Sequence, residues 1–237
     1  MQTERQMNRR ERRRLNSLVR HVKCDKVTAV HEAGHAVGRY LTADDMGIPL
    51  NLAVSRIEIA PKVLSEGDRV VISQACTYGP MFSREIHDII NADPVEAKLD
   101  SMPYYVKVFA TAAAAGADII KWVRSKALIA VLGPMSECMV TGRRVDEMFE
   151  GPARGDLNDI VRDCTIAGIH DDQIVAIIDE AVERARMLLK KPGVRAAIGA
   201  LAQGLQLRGT MQGRDGLAIV GRHLALPDVA ARQEALT

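Results

Sequence analysis

The stretch Lys26-Val27-Thr28-Ala29-Val30-His31-Glu32-Ala33-Gly34-His35-Ala36-Val37-Gly38-Arg39-Tyr40-Leu41-Thr42 decides the reading of this chain. Its apolar positions (Val27, Val30, Ala33, Val37) recur at helical spacing, and Asp44, Asp45, Gly47 and Pro49 stop the pattern. Inside it His31-Glu32-Ala33-Gly34-His35 is an HExxH sequence. Residues four apart share a helix face, so both imidazoles can point at one ion while Glu32 reaches a water on its open side. Neutral imidazoles ligate, and a carboxylate shuttles the proton. His31 and His35 are therefore the expected zinc ligands and Glu32 the expected general base. The small residues Gly34 and Ala36 leave room for close packing beside the metal.

A catalytic zinc site usually takes three protein ligands and keeps one position for water. The remaining histidines are His21, His87, His170 and His223, and position 41 is Leu, which argues against a third histidine just downstream. A carboxylate from a distant helix is the alternative, and Gly155-Asp156-Leu157-Asn158-Asp159-Ile160 is the preferred segment. The four cysteines lie far apart with no CxxC pair, which reads as reduced thiols rather than a disulfide framework.

Working outward, the 237 residues suffice for a real hydrophobic core. Aromatics contribute only 3%, so Ala, Val, Ile, Leu and Met must fill that core, a mix that predicts a mainly α-helical fold. The net charge of +2 sets no global demand for an anionic partner. Residues 1–24, rich in Arg from Arg5 to Arg20, are expected to be a basic helix or arm. A nucleic-acid contact through this arm is considered but not favoured, because no aromatics interleave its charges. Leu52–Ile59 and Arg69–Ser73, with a turn at Ser65–Asp68, predict a small β-hairpin after the HExxH helix. From Pro80 the chain reads as helical nearly to its end. Leu128, Val131, Leu132, Met135 and Met139 mark one face, Ile86, Ile89 and Ile90 another, and Ile174 to Leu189 the longest. No stretch is apolar enough to span a membrane, and no signal peptide is recognised, so a soluble, cytoplasmic protein is expected. Residues 226–237 are expected to be a loosely held tail.

The sequence resembles the peptidase domain of the FtsH family of ATP-dependent zinc metalloproteases. His31-Glu32-Ala33-Gly34-His35-Ala36-Val37 is similar to that family's HEAGHA[LV] stretch, Leu132-Gly133-Pro134-Met135-Ser136-Glu137 to its LGG-x-AAE helix, and Gly155–Ile160 to its G-A-x-N-D-[LI] segment. Ile178–Leu188 looks like its long helix, so the likeness spans roughly residues 25–222 within an expected domain of residues 25–225. The resemblance implies a helical zinc-peptidase fold with Asp159 as third ligand. Asp156, one turn earlier, is the competing ligand or else a first-turn acid. Glu137 is either an orienting partner of a ligating histidine or a structural residue. The Walker A loop and membrane anchor of the family are not recognised here.

The expected activity is thus a zinc metalloendopeptidase cutting flexible or small polypeptides, on its own, with an unfoldase in trans, or as a ring-forming homo-oligomer. Two alternatives remain: a nucleic-acid-associated regulator with a zinc-stabilised core, and a regulatory protease with one specific partner.

Overall fold

The helix expected around the HExxH sequence spans Lys26–Thr42 (α1) and is enclosed by protein along most of its length, with Ala29, Ala33, Ala36 and Val37 fully buried. A computed structural model describes residues 26–59, 62–66, 69–73, 76–82 and 102–224. The basic arm, the 226–237 tail and the pattern at Ile86, Ile89 and Ile90 lie outside the described residues.

Beyond α1 come α2 (Met102–Ala114), α3 (Ile119–Thr141), α4 (Val145–Glu150), α5 (Arg154–Ile166), α6 (Asp171–Lys190), α7 (Pro192–Arg208) and α8 (Gly213–Val220). The described chain is therefore mainly α, as its composition predicts. α1 lies chiefly against α3 and α7. A Cβ on Gly34 would sit 2.5 Å from the Leu132 carbonyl oxygen and 2.9 Å from the Gly133 Cα, so α1 and α3 meet backbone to backbone. Only the absence of a side chain allows that approach. Leu128, Val131, Leu132 and Met135 bury the expected face of α3, and α3 continues through Pro134. Met139 is 43% exposed, so the apolar stripe ends one turn before the pattern suggested.

α6 buries Ile174, Ile177, Ala181, Ala185 and Leu189, the face read from the sequence. Pro192 follows its end and at once begins α7. Proline bars the helical conformation from the residue before it, and Lys191 is extended at φ −74°, ψ 123°. One residue thus serves as the end of one helix and the start of the next. α2 docks through aromatic contacts. Phe109 meets Trp122 of α3 edge-on at 5.0 Å, and Phe82 stacks on the same indole at 4.9 Å. In a chain this poor in aromatics, such a trio supplies large buried area and orientation together.

Among the described residues there are five short strands: β1 (Arg56–Glu58), β2 (Lys62–Glu66), β3 (Arg69–Ser73), β4 (Cys76–Tyr78) and β5 (Thr210–Gln212). A hairpin does follow the HExxH helix, but its arms differ from expectation. Arg69–Ser73 pairs with Lys62–Glu66, not with the Leu52–Ile59 run, in the register Val63↔Ile72 and Ser65↔Val70. Only residues 67 and 68 separate the two strands, the spacing of a two-residue hairpin, so Ser65 and Glu66 belong to a strand rather than to the turn. β1 instead runs down the middle of a three-stranded antiparallel sheet in the order β4-β1-β5, with Ile57 opposite both Thr77 and Met211. β5 also interrupts the helical reading of the C-terminal part. Gly209, at φ 72°, closes α7 and turns the chain into this strand. The buried Tyr40 hydroxyl donates to the Gly213 carbonyl at 2.7 Å, tying α1 to the start of α8.

Among the described residues no helix is long and apolar enough to cross a membrane.

Candidate metal centre

His31 and His35 stand one turn apart on α1, with ring centroids 4.7 Å apart and their Nε2 atoms separated by 3.0 Å. The opposite ring nitrogens are occupied. His31 Nδ1 lies 3.1 Å from Glu137 Oε2, and His35 Nδ1 lies 2.8 Å from the Ile129 carbonyl oxygen. Both acceptors sit on α3. With each Nδ1–H donating, the two Nε2 atoms face one point and, once neither holds a proton, turn their lone pairs toward it. Space for the second ring is made by Gly133, where a Cβ would lie 2.5 Å from His35 Cε1 and Nε2. The Gly34 and Gly133 contacts therefore set both the spacing of the helices and the pose of a candidate ligand.

The carboxylate that meets the histidines belongs to Asp156. Its oxygens lie 3.4 Å from His31 Nε2 and 3.3 Å from His35 Nε2. Asp156 is in the first turn of α5, so the first-turn acid and the histidine partner are the same residue. Asp159, the ligand implied by the family resemblance, is one turn further along α5. It pairs with Arg162 at 2.8 Å, and its side chain is 59% exposed. A three-residue step carries a side chain about 60° round the helix and up one turn, enough to move Asp159 from the histidines to the cavity rim. Glu137 takes the orienting position, 7% exposed and also held by Arg143 at 3.7 Å. Glu137→Gln keeps the shape but removes the charge behind His31. Zinc affinity is expected to drop about ten- to a hundredfold, read by competition with a chelator.

Glu32 is 6% exposed, and its group can come within 4.8 Å of the histidine donors. Thr77 Oγ1 donates to Glu32 Oε2 at 2.8 Å and also lies 3.2 Å from the Glu32 carbonyl oxygen. Sequence reasoning missed Thr77. It sits on a three-residue strand with no motif and no spacing relation to His31, so only pairing against β1 brings it to the site. His170 and His223 are exposed and stand apart from the centre, while His21 and His87 lie outside the described residues. Cys76, Cys138 and Cys164 are free thiols, and burial pushes the Cys76 thiol up. A cavity of about 200 Å³ opens beside Glu32, His35 and Asp156.

The donor set fits zinc. Four bonds of 2.0–2.1 Å at tetrahedral angles put neighbouring donors about 3.3 Å apart, and the three donor separations here are 3.0, 3.3 and 3.4 Å. Three lone-pair donors this close repel one another unless a cation lies between them. In the metal-free protein a proton fills that role. Burial opposes charge on His35, but the Asp156 carboxylate, with help from Glu32 and the Ile129 carbonyl, raises its pKa to about 9. Burial likewise opposes charge on Asp156, yet the two imidazoles hold its carboxyl well below the usual range. A zinc ion taken up through His35 Nε2 at pH 7 would therefore displace a proton. Apparent zinc affinity is expected to rise about tenfold per pH unit from pH 7 and to level off near 9. Calorimetry in buffers of different ionisation enthalpy should count about one proton released per ion at pH 7.

Comparison with known proteins finds no protein-family model that matches this chain and no curated protein that matches it.

Proposed function

We propose that this chain is a zinc metallopeptidase that hydrolyses peptide bonds in flexible polypeptides, with a helical domain of the FtsH peptidase type. The observation that carries this reading is the convergence of His31, His35 and Asp156 with Glu32 beside them. In this reading His31, His35 and Asp156 hold the metal, and Asp156 replaces Asp159 as the third ligand. Bound zinc supplies a water of lowered pKa and polarises a carbonyl. Glu32 takes the proton of the attacking water and then delivers it to the leaving amine. Thr77 fixes one carboxylate oxygen, which leaves the other free to face the water. Glu137 and the Ile129 carbonyl keep both imidazoles in the tautomer that ligates through Nε2. β4 is an outer strand of its sheet and carries Thr77, so an extended polypeptide can lie along it and present a carbonyl to the centre.

The test is cleavage of casein by zinc-loaded protein without ATP, beside protein stripped with a chelator and then resupplied with zinc. Cleavage that is lost on stripping and restored by zinc is the expected result. Cleavage indifferent to zinc, or none in either state, overturns the reading.

A further inference from the structure

The cavity beside the metal centre has a second wall that the proposed chemistry does not use. Arg39 lies one turn beyond His35 on α1, and Lys126 projects from α3. Both line the cavity with Cys76, Asp159 and Asp163. Asp159 and Asp163 share Arg162, at 2.8 Å and 3.0 Å. Among the described residues, Arg39 donates only to the Pro80 carbonyl, at 3.3 Å. Lys126 makes no ion pair there and lies 5.8 Å from the Trp122 ring centroid. Two cations and two carboxylates line this wall, with Glu32 and Asp156 on the side of the metal centre. Arg162, from outside the cavity, holds Asp159 and Asp163, while Arg39 and Lys126 form no ion pair among the described residues.

We propose that Arg39 and Lys126 form a carboxylate-binding subsite next to the metal centre, so that the enzyme selects substrates bearing an acidic group close to the scissile bond. The proposal rests on the peptidase reading of the centre. Two cations sharing one cavity with no bridging anion repel each other, and a substrate carboxylate relieves that repulsion while taking charge-assisted hydrogen bonds. Titration agrees in direction. Burial pushes Lys126 down and Arg39 adds to the effect, against a partial offset from Asp163 and Asp159. Burial likewise pushes Arg39 down. The volume of about 200 Å³ exceeds the roughly 30 Å³ of a water severalfold and accommodates a carboxylate-bearing side chain. The carboxylate has two sources, an Asp or Glu side chain or the free C-terminus of a peptide.

The experiment measures binding of fluorescent peptides to the zinc-loaded Glu32→Gln protein, which retains the cavity but has lost the general base. Each peptide is compared in matched forms, internal Glu against Gln and C-terminal acid against amide. The acidic member of at least one pair is expected to bind about tenfold tighter or more, and the pair that responds identifies the source. The preference should collapse toward unity in Arg39→Met and in Lys126→Met, and return in Lys126→Arg. Equal binding within both pairs, or no measurable binding of any peptide, overturns the subsite. So does a preference that survives the Arg39→Met, Lys126→Met double variant. The matched-peptide comparison needs neither Met variant to fold. The casein test remains separate: zinc-dependent cleavage without acid preference removes only the subsite, while acid preference without cleavage removes only the peptidase reading.

Discussion

Protein carrying Glu32→Gln is expected to bind zinc as the parent does and to cleave casein about 10²- to 10⁴-fold more slowly. Glutamine matches glutamate in size and still accepts the Thr77 hydroxyl's hydrogen bond through its amide oxygen, so the surroundings of the residue are kept. It cannot take a proton from water. His31, His35 and Asp156 are untouched by the change, which separates metal binding from proton transfer. Loss of cleavage with full zinc occupancy assigns the general base. Equal cleavage by both proteins would show that another group takes the proton, or that the activity belongs to a contaminant.

The second large effect distinguishes the two aspartates of α5. Asp156→Asn is expected to lower zinc affinity by about a thousandfold or more, beyond the ten- to hundredfold typical of an outer partner. The change removes a charged donor 3.3–3.4 Å from both Nε2 atoms. Asp159→Asn should leave zinc affinity within about twofold, because its carboxylate is committed to Arg162 and open to solvent. Competition titrations with a chelator of known affinity read both values directly. If Asp159→Asn loses the metal and Asp156→Asn does not, the ligand assignment reverses.

How far the sequence alone leads can be judged from these residues. The α1 helix, the α6 face and the pairing of His31 with His35 followed from spacing within single helices, where a 3.6-residue period fixes which side chains meet. Glu137, singled out through a stretch of motif on α3, lies beside His31. Asp159 was preferred over Asp156 on resemblance, and three-residue ambiguity within one helix turns on how far α5 is rotated about its axis. That rotation is set by packing against α3, which the α5 sequence does not contain. The hairpin was placed but given the wrong first arm, because β1 is too short and too weakly alternating to show its true partners. Thr77, Arg39 and Lys126 share a cavity through contacts between elements far apart in the chain. No local pattern announces such a meeting.

The middle position of β1 also bears on when the site can exist. Its two neighbours come from opposite parts of the sequence, β4 at Cys76–Tyr78 and β5 at Thr210–Gln212. The α5 carboxylate arrives only at Asp156, and the strand beyond Gly209 is nearly the last described element to be made. A nascent chain therefore leaves the ribosome carrying the HExxH helix long before it can organise the groups around it. Such nonlocal closure is slow, since the intervening loop must be ordered before its contacts form. Synthesis itself thus delays the ordering of the groups around His31 and His35 until the strand at Thr210–Gln212 has been made.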